Sequence, residues 1–80
     1  MPRFFFDIRD DKGTQRDEEG FELADLSMVR EKAQRLLPDI ARSEIPGDGD
    51  QHVYTVLVTD EDGHAVYSAT LTYAGLWLLR

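Results

Sequence analysis

The chain contains no cysteine. Disulfides and thiolate metal sites are therefore excluded as sources of stability or chemistry. No apolar run approaches the roughly 20 residues that a membrane-spanning helix needs. Basic residues are few, with 9 Lys and Arg against 16 Asp and Glu, for a formal net charge of −7. That balance repels a phosphate backbone and an anionic lipid surface, so neither a nucleic acid nor a membrane is expected as partner. There is no glycine-rich phosphate loop. The apolar stretch Phe4-Phe5-Phe6 runs straight into Asp7, without a signal-peptide core or a small-residue cleavage site, which predicts a cytoplasmic protein.

What remains is 80 residues with 41% hydrophobic and 31% charged content. This is the composition of one soluble globular domain, residues 1–80. A domain of this size buries only roughly 60–65% of the surface its unfolded chain exposes. Without disulfides, it must rely on good packing or on self-association.

Arg3 to Arg9 alternates with period two: Phe4, Phe6 and Ile8 fall on one face, Phe5, Asp7 and Arg9 on the other. That pattern predicts a half-buried strand. Asp10 to Gly13 has turn chemistry, and Thr14–Asp17 is expected to return as a short polar edge strand. Asp17-Glu18-Glu19-Gly20 reads as a second turn, after which Phe21 and Leu23 lead into a helix. Asp25 is the expected N-cap, since its carboxylate can accept from the free amides of the first turn. Leu26, Val29, Ala33, Leu36, Leu37 and Ile40 recur at helical spacing and form one stripe as far as Glu44. Glu31 and Arg35 are spaced for an i,i+4 ion pair. Pro38 lies away from the stripe, where the carbonyl it frees can be hydrated, so a kinked rather than broken helix is expected. Pro46-Gly47 is the expected stop.

His52–Asp60 and Ala65–Tyr73 read as two strands joined by a two-residue turn at Asp62-Gly63. That turn would place Val58 opposite Tyr67, Val56 opposite Ala69 and Tyr54 opposite Leu71, all on one face. Val53, Thr55, Leu57 and Thr59 would line the other face with Val66, Ser68, Thr70 and Thr72. The predicted fold is α+β: a single ββαββ domain, with a four-stranded, mainly antiparallel sheet and one amphipathic helix packed on one face. The tail, Gly75 to Arg80, is apolar and carries the sole tryptophan. It is expected to pack on the uncovered sheet face or against a partner.

The chemistry-bearing residues form no recognisable site. The acidic turns lack the ligand spacing of a calcium loop. His52 and His64 should lie at opposite ends of the hairpin, and Ser27, Ser43 and Ser68 sit in no nucleophile motif. No catalytic residue, cofactor or metal ligand is assigned, and an enzyme is not expected; that reading would require Asp10, Asp11, Asp60 and Asp62 to converge. Arg3, Phe5 and Arg9 could form a basic-aromatic patch for single strands, but the net charge argues against it.

The phrases MPRFFFDIRDDKG, RDEEGFELADL and VTDEDGHAVYSATL resemble the small alphaproteobacterial proteins grouped as domain-of-unknown-function family six-eight-nine-four. The resemblance covers nearly the whole chain and is most specific in its opening phrase. It implies a stand-alone ββαββ unit and supplies no activity, cofactor or catalytic residue. Pro38 and the apolar tail depart from the family pattern. The layout of strand, acidic turn, strand and acid-started helix is also similar to HicB-type antitoxins, which pair with a toxin; this is an analogy of fold alone.

The resulting expectation is a non-enzymatic interaction module that forms a homodimer. Its expected contact residues are Phe5, Val53, Leu57 and Val66 on the open face, and Leu76, Trp77 and Leu79 in the tail. The alternative is an antitoxin-like acidic inhibitor that covers a basic surface on another protein.

Overall fold

The alternating aromatic stretch at the start of the chain forms the first strand, β1 (Arg3–Asp10). A computed structural model describes residues 1–45 and 50–79. Five further elements follow: β2 (Gly13–Gln15), β3 (Phe21–Glu22), α1 (Leu26–Glu44), β4 (Gln51–Thr59) and β5 (Ala65–Ala74). The sheet runs in the order β2-β1-β4-β5, with β3 also paired to β1, and every pairing is antiparallel. The α+β architecture with one helix on an antiparallel sheet is as the sequence predicts. It carries one strand more than expected, because Phe21 and Glu22 pair with Phe4 and Arg3 before the chain turns into the helix.

The three cross-strand pairs predicted for the hairpin are present: Val58 with Tyr67, Val56 with Ala69, and Tyr54 with Leu71. The turn that produces them is not the two-residue one expected. Gly63 N donates to Asp60 O at 3.1 Å and Asp60 N to His64 O at 2.9 Å, which leaves three residues in the loop with Gly63 at φ +83°. This is a type I turn closed by a left-handed glycine. A register shift between Val58 and Thr59 then restores the expected alignment. The bulge that absorbs the extra residue falls at Val66. Val66 is therefore half-buried and packs against the core, a correction to its expected place on the uncovered face.

Phe4, Phe6, Tyr54, Val56 and Val58 from the sheet meet Val29, Ala33, Leu37 and Ala41 from the helix. The buried helix residues recur every four positions, and two are alanines, which let the backbone approach the sheet closely. Leu36 and Ile40 flank this ridge and are partly buried. Leu26, expected in the stripe, is 58% exposed. It lies in the first turn, ahead of Val29, the first residue that packs. Ala41 belongs to the ridge but was not among the expected stripe residues.

Asp25 caps the helix as expected, its side chain accepting from Met28 N at 3.1 Å. The Arg35–Glu31 pair forms at 3.0 Å on the exposed side. Pro38 sits within a single helix and is exposed, so the missing amide lies on the solvent side. The helix ends at Ile45, whose N–H reaches Ala41 O. The predicted stop at Pro46-Gly47 lies outside the described residues, as does Arg80. No helix among the described residues is long and apolar enough to cross a membrane.

Candidate interaction surface

The helix covers one face of the sheet. The opposite face presents Phe5, Asp7 and Arg9 from β1, Val53, Thr55 and Leu57 from β4, and Ser68, Thr70 and Thr72 from β5, placed there by the two-residue period of each strand. Leu57 pairs with Asp7 on one side and Ser68 on the other. It stays 42% exposed in a shallow groove lined by Asp7, Arg9, Thr14, Thr55, Leu57 and Ser68. Val53 is likewise exposed. The Thr55 and Thr70 hydroxyls meet at 3.2 Å. The face is thus apolar in spots and hydrogen-bonding between them, as its sequence predicts.

Phe5 is less available than expected. The turn before β3 folds over it, so that a Cβ on Gly20 would lie 2.9 Å from Phe5 Cε1. The tail does not fold onto this face. Gly75 N donates to Asp50 O at the end of β5, and beyond it Leu76, Trp77, Leu78 and Leu79 are 78–86% exposed. Of the seven residues singled out by sequence, Val53 and Leu57 share an open surface, the three tail residues are exposed beyond it, Phe5 is half-covered and Val66 turns inward.

One device was not legible in the sequence. β2 pairs only with Ile8 to Asp10 and β3 only with Arg3 and Phe4, which leaves the middle of β1 uncovered at this edge. Asp17 fills the gap. Its carboxylate accepts from Phe6 N at 3.1 Å and Gly20 N at 3.0 Å, while its own N–H donates to Asp7 Oδ1 at 2.9 Å. A side chain thus replaces a strand. The short-range contact to Gly20 is ordinary turn chemistry; the contact to Phe6 arises only when the chain folds back.

Arg3 gathers the acidic turns at the end of the sheet. Its backbone N–H donates to Glu61 Oε1, its guanidinium to Glu19 O at 2.7 Å and to Glu22 Oε1 at 3.2 Å. These contacts occupy the basic group that a single-strand binder would present. Asp60, Asp62 and His64 have ligand atoms within 4.8 Å of one another, the one such group among the described residues that could hold a metal ion. Asp60 Oδ1 is already used to brace the turn, accepting from Asp62 N and His64 N at 2.9 Å each. Asp10 and Asp11 lie at the other end of the β1–β4 pair, so the four acids of the enzyme reading do not converge.

The two histidines are separated as expected. His64 is exposed beside the turn, and His52 is buried near the start of β4. His52 Nδ1 lies 3.2 Å from the Tyr54 hydroxyl, and Nε2 is buried without a hydrogen-bond partner among the described residues. Burial, reinforced by the negative charges of Glu44, Asp11 and Asp10, pushes the Tyr54 phenol above its ordinary value. The hydroxyl is therefore neutral and serves as a structural hydrogen-bonding group.

A family model described as "Domain of unknown function (DUF6894)" matches residues 3–72. Neither the curated proteins nor the solved structures give a match. The matched range contains the sheet to Thr72 and the helix, and stops short of the exposed tail.

Proposed function

Because the chain belongs to the DUF6894 family, whose function is unknown, we propose from its surface that it is a non-enzymatic interaction module that self-associates. The open sheet face and the tail supply the contact. The observation that carries this reading is the apolar surface left after the helix has packed. Leu76, Trp77 and Leu79 are each at least 78% exposed, and Val53 and Leu57 are open on the bare face. A small domain lowers its free energy by burying such residues against a second copy.

Sedimentation equilibrium across the micromolar range tests it. Self-association is expected, and Trp77→Ser should weaken it while leaving the far-UV dichroism of the folded chain unchanged. A monomer at all concentrations, indifferent to Trp77→Ser, overturns the reading.

A second reading, an acidic inhibitor docking on a basic protein, draws on a different observation. Arg3 holds the Glu19, Glu22 and Glu61 turns together at one end of the sheet, where Glu18 and Asp62 are exposed beside them. Capture from the native host at low salt should then recover a basic partner that high salt releases. Recovery of no basic protein at low salt removes this reading.

A further inference from the structure

The two edges of the sheet are built differently. On the β1 side, β2, β3 and the Asp17 carboxylate cap the outer strand. On the other side, no strand among the described residues pairs with the outer edge of β5. It is 10 residues long, well above the usual strand length of about 5–6. An exposed edge of this length is normally blunted by a lysine, a proline or an inward-pointing charge. β5 has none of these, and no charged residue occurs from Ala65 to Leu79 in a chain of net charge −7. Two copies repel each other over most of their surfaces, and this uncharged edge is where they can meet.

The ladder fixes which groups are free. Gly75 N donates to Asp50 O, and alternation along an antiparallel pair then turns the backbone groups of Tyr67, Ala69, Leu71 and Tyr73 towards β4. Those of Ser68, Thr70, Thr72 and Ala74 point outward. The side chains match the same geometry. With a two-fold axis through Thr70, Thr70 faces Thr70 and Ser68 faces Thr72 on the open face, while Tyr67 faces Tyr73 and Ala69 faces Leu71 on the helix face. Hydroxyl–hydroxyl and aromatic–aromatic pairs are the favourable cross-strand combinations. A slip of one residue would put helix-face residues opposite open-face residues.

We infer that two copies of this chain join through antiparallel pairing of their β5 strands about Thr70, forming one continuous sheet with both helices on the same side. The inference rests on the self-association proposed above but places the primary contact at the β5 edge rather than across the open face. The open faces of the two copies then lie side by side, and each tail leaves β5 beside the other copy's Asp60–His64 turn.

Because the chain has no cysteine, single-cysteine variants of the full chain test the geometry. An antiparallel hydrogen-bonded pair has a Cα separation of about 5.5 Å, within disulfide range. Thr70→Cys should oxidise to a covalent dimer at micromolar concentration, and Leu57→Cys should not. Thr70→Pro removes an outward N–H that the monomer does not use. It should weaken the dimer by roughly tenfold or more with the far-UV dichroism unchanged. If Leu57→Cys cross-links and Thr70→Cys does not, the copies meet face to face; the edge inference is overturned and the self-association reading stands. A protein that is monomeric by sedimentation overturns both. Should Thr70→Pro fail to fold, the cysteine pair decides alone. An edge dimer replaced by a mixed complex with another protein's strand also overturns the inference.

Discussion

Val56 and Leu57 are adjacent in the chain and lie on opposite sides of the sheet: Val56 is fully buried under the helix, and Leu57 is 42% exposed on the bare face. Their peptide bond separates what stabilises the domain from what remains available for contact. Val56→Asp places a carboxylate in the core without a partner, at a cost comparable to the stability of a domain this small. It should leave the chain unfolded by near-UV dichroism and amide NMR dispersion. Leu57→Asp should change stability by about 1 kcal/mol or less, read from urea unfolding. If it unfolds the chain as Val56→Asp does, the two faces have been assigned wrongly.

The Asp17 carboxylate accepts two charge-assisted hydrogen bonds, one from Phe6 N in the middle of β1 and one from Gly20 N in the turn. Asp17→Ala leaves Phe6 N without a protein acceptor and should lower stability by about 1–3 kcal/mol, with faster hydrogen exchange at the Phe6 amide. Asp17→Asn keeps one carbonyl acceptor and should fall between wild type and alanine. Equal losses for the two variants would mean that the one acceptor asparagine retains contributes nothing.

Gly20 combines a φ of +74° with a crowded site, where a Cβ would lie 2.9 Å from Arg3 Cγ, Phe4 O and Phe5 Cε1. A side chain there is strained twice, by backbone conformation and by contact. Gly20→Ala should cost about 1–3 kcal/mol and raise the exposure of Phe5 as the turn is displaced. Gly13 also has positive φ but an open surround, so Gly13→Ala should cost less.

Asp25 carries a pH dependence. The Ser27 hydroxyl first, and the Met28 amide next, hold its carboxyl below the ordinary value of 3.8. A carboxyl depressed in the folded state binds its proton more readily when unfolded. Its contribution is therefore complete above the ordinary value and is lost as pH falls through the depressed one. Asp25→Ala should lower the melting temperature by several degrees at neutral pH, and the difference from wild type should vanish in strong acid. Ser27→Ala should raise the Asp25 titration midpoint, followed by carboxyl NMR.

Much of this fold was legible because local rules determine it. Period-two alternation in Arg3–Arg9 and His52–Asp60, the Asp25 cap and the helical spacing of Val29, Ala33 and Leu37 are each readable from a few neighbouring residues. The hairpin shows where such reading goes wrong without consequence. The turn has three residues instead of two, and a bulge at Val66 restores the register. Pairing along the rest of the strands is unchanged, and only Val66 changes sides.

Sequence by itself thus determined the face that each strand residue other than Val66 presents, since side-chain alternation is a property of the backbone, and also the absence of charge from Ala65 to Leu79. It could not decide which edge of the sheet is closed. That depends on Phe21 and Glu22 returning to Arg3 and Phe4, and on Asp17 reaching Phe6 across 11 positions of chain. Such contacts form only when the turn, β1 and β3 are fixed together, because the free energy that orders Asp17 comes from the assembled edge and not from its sequence neighbours. Nothing comparable among the described residues caps β5, and that asymmetry, visible only in the folded chain, leaves the uncharged edge open.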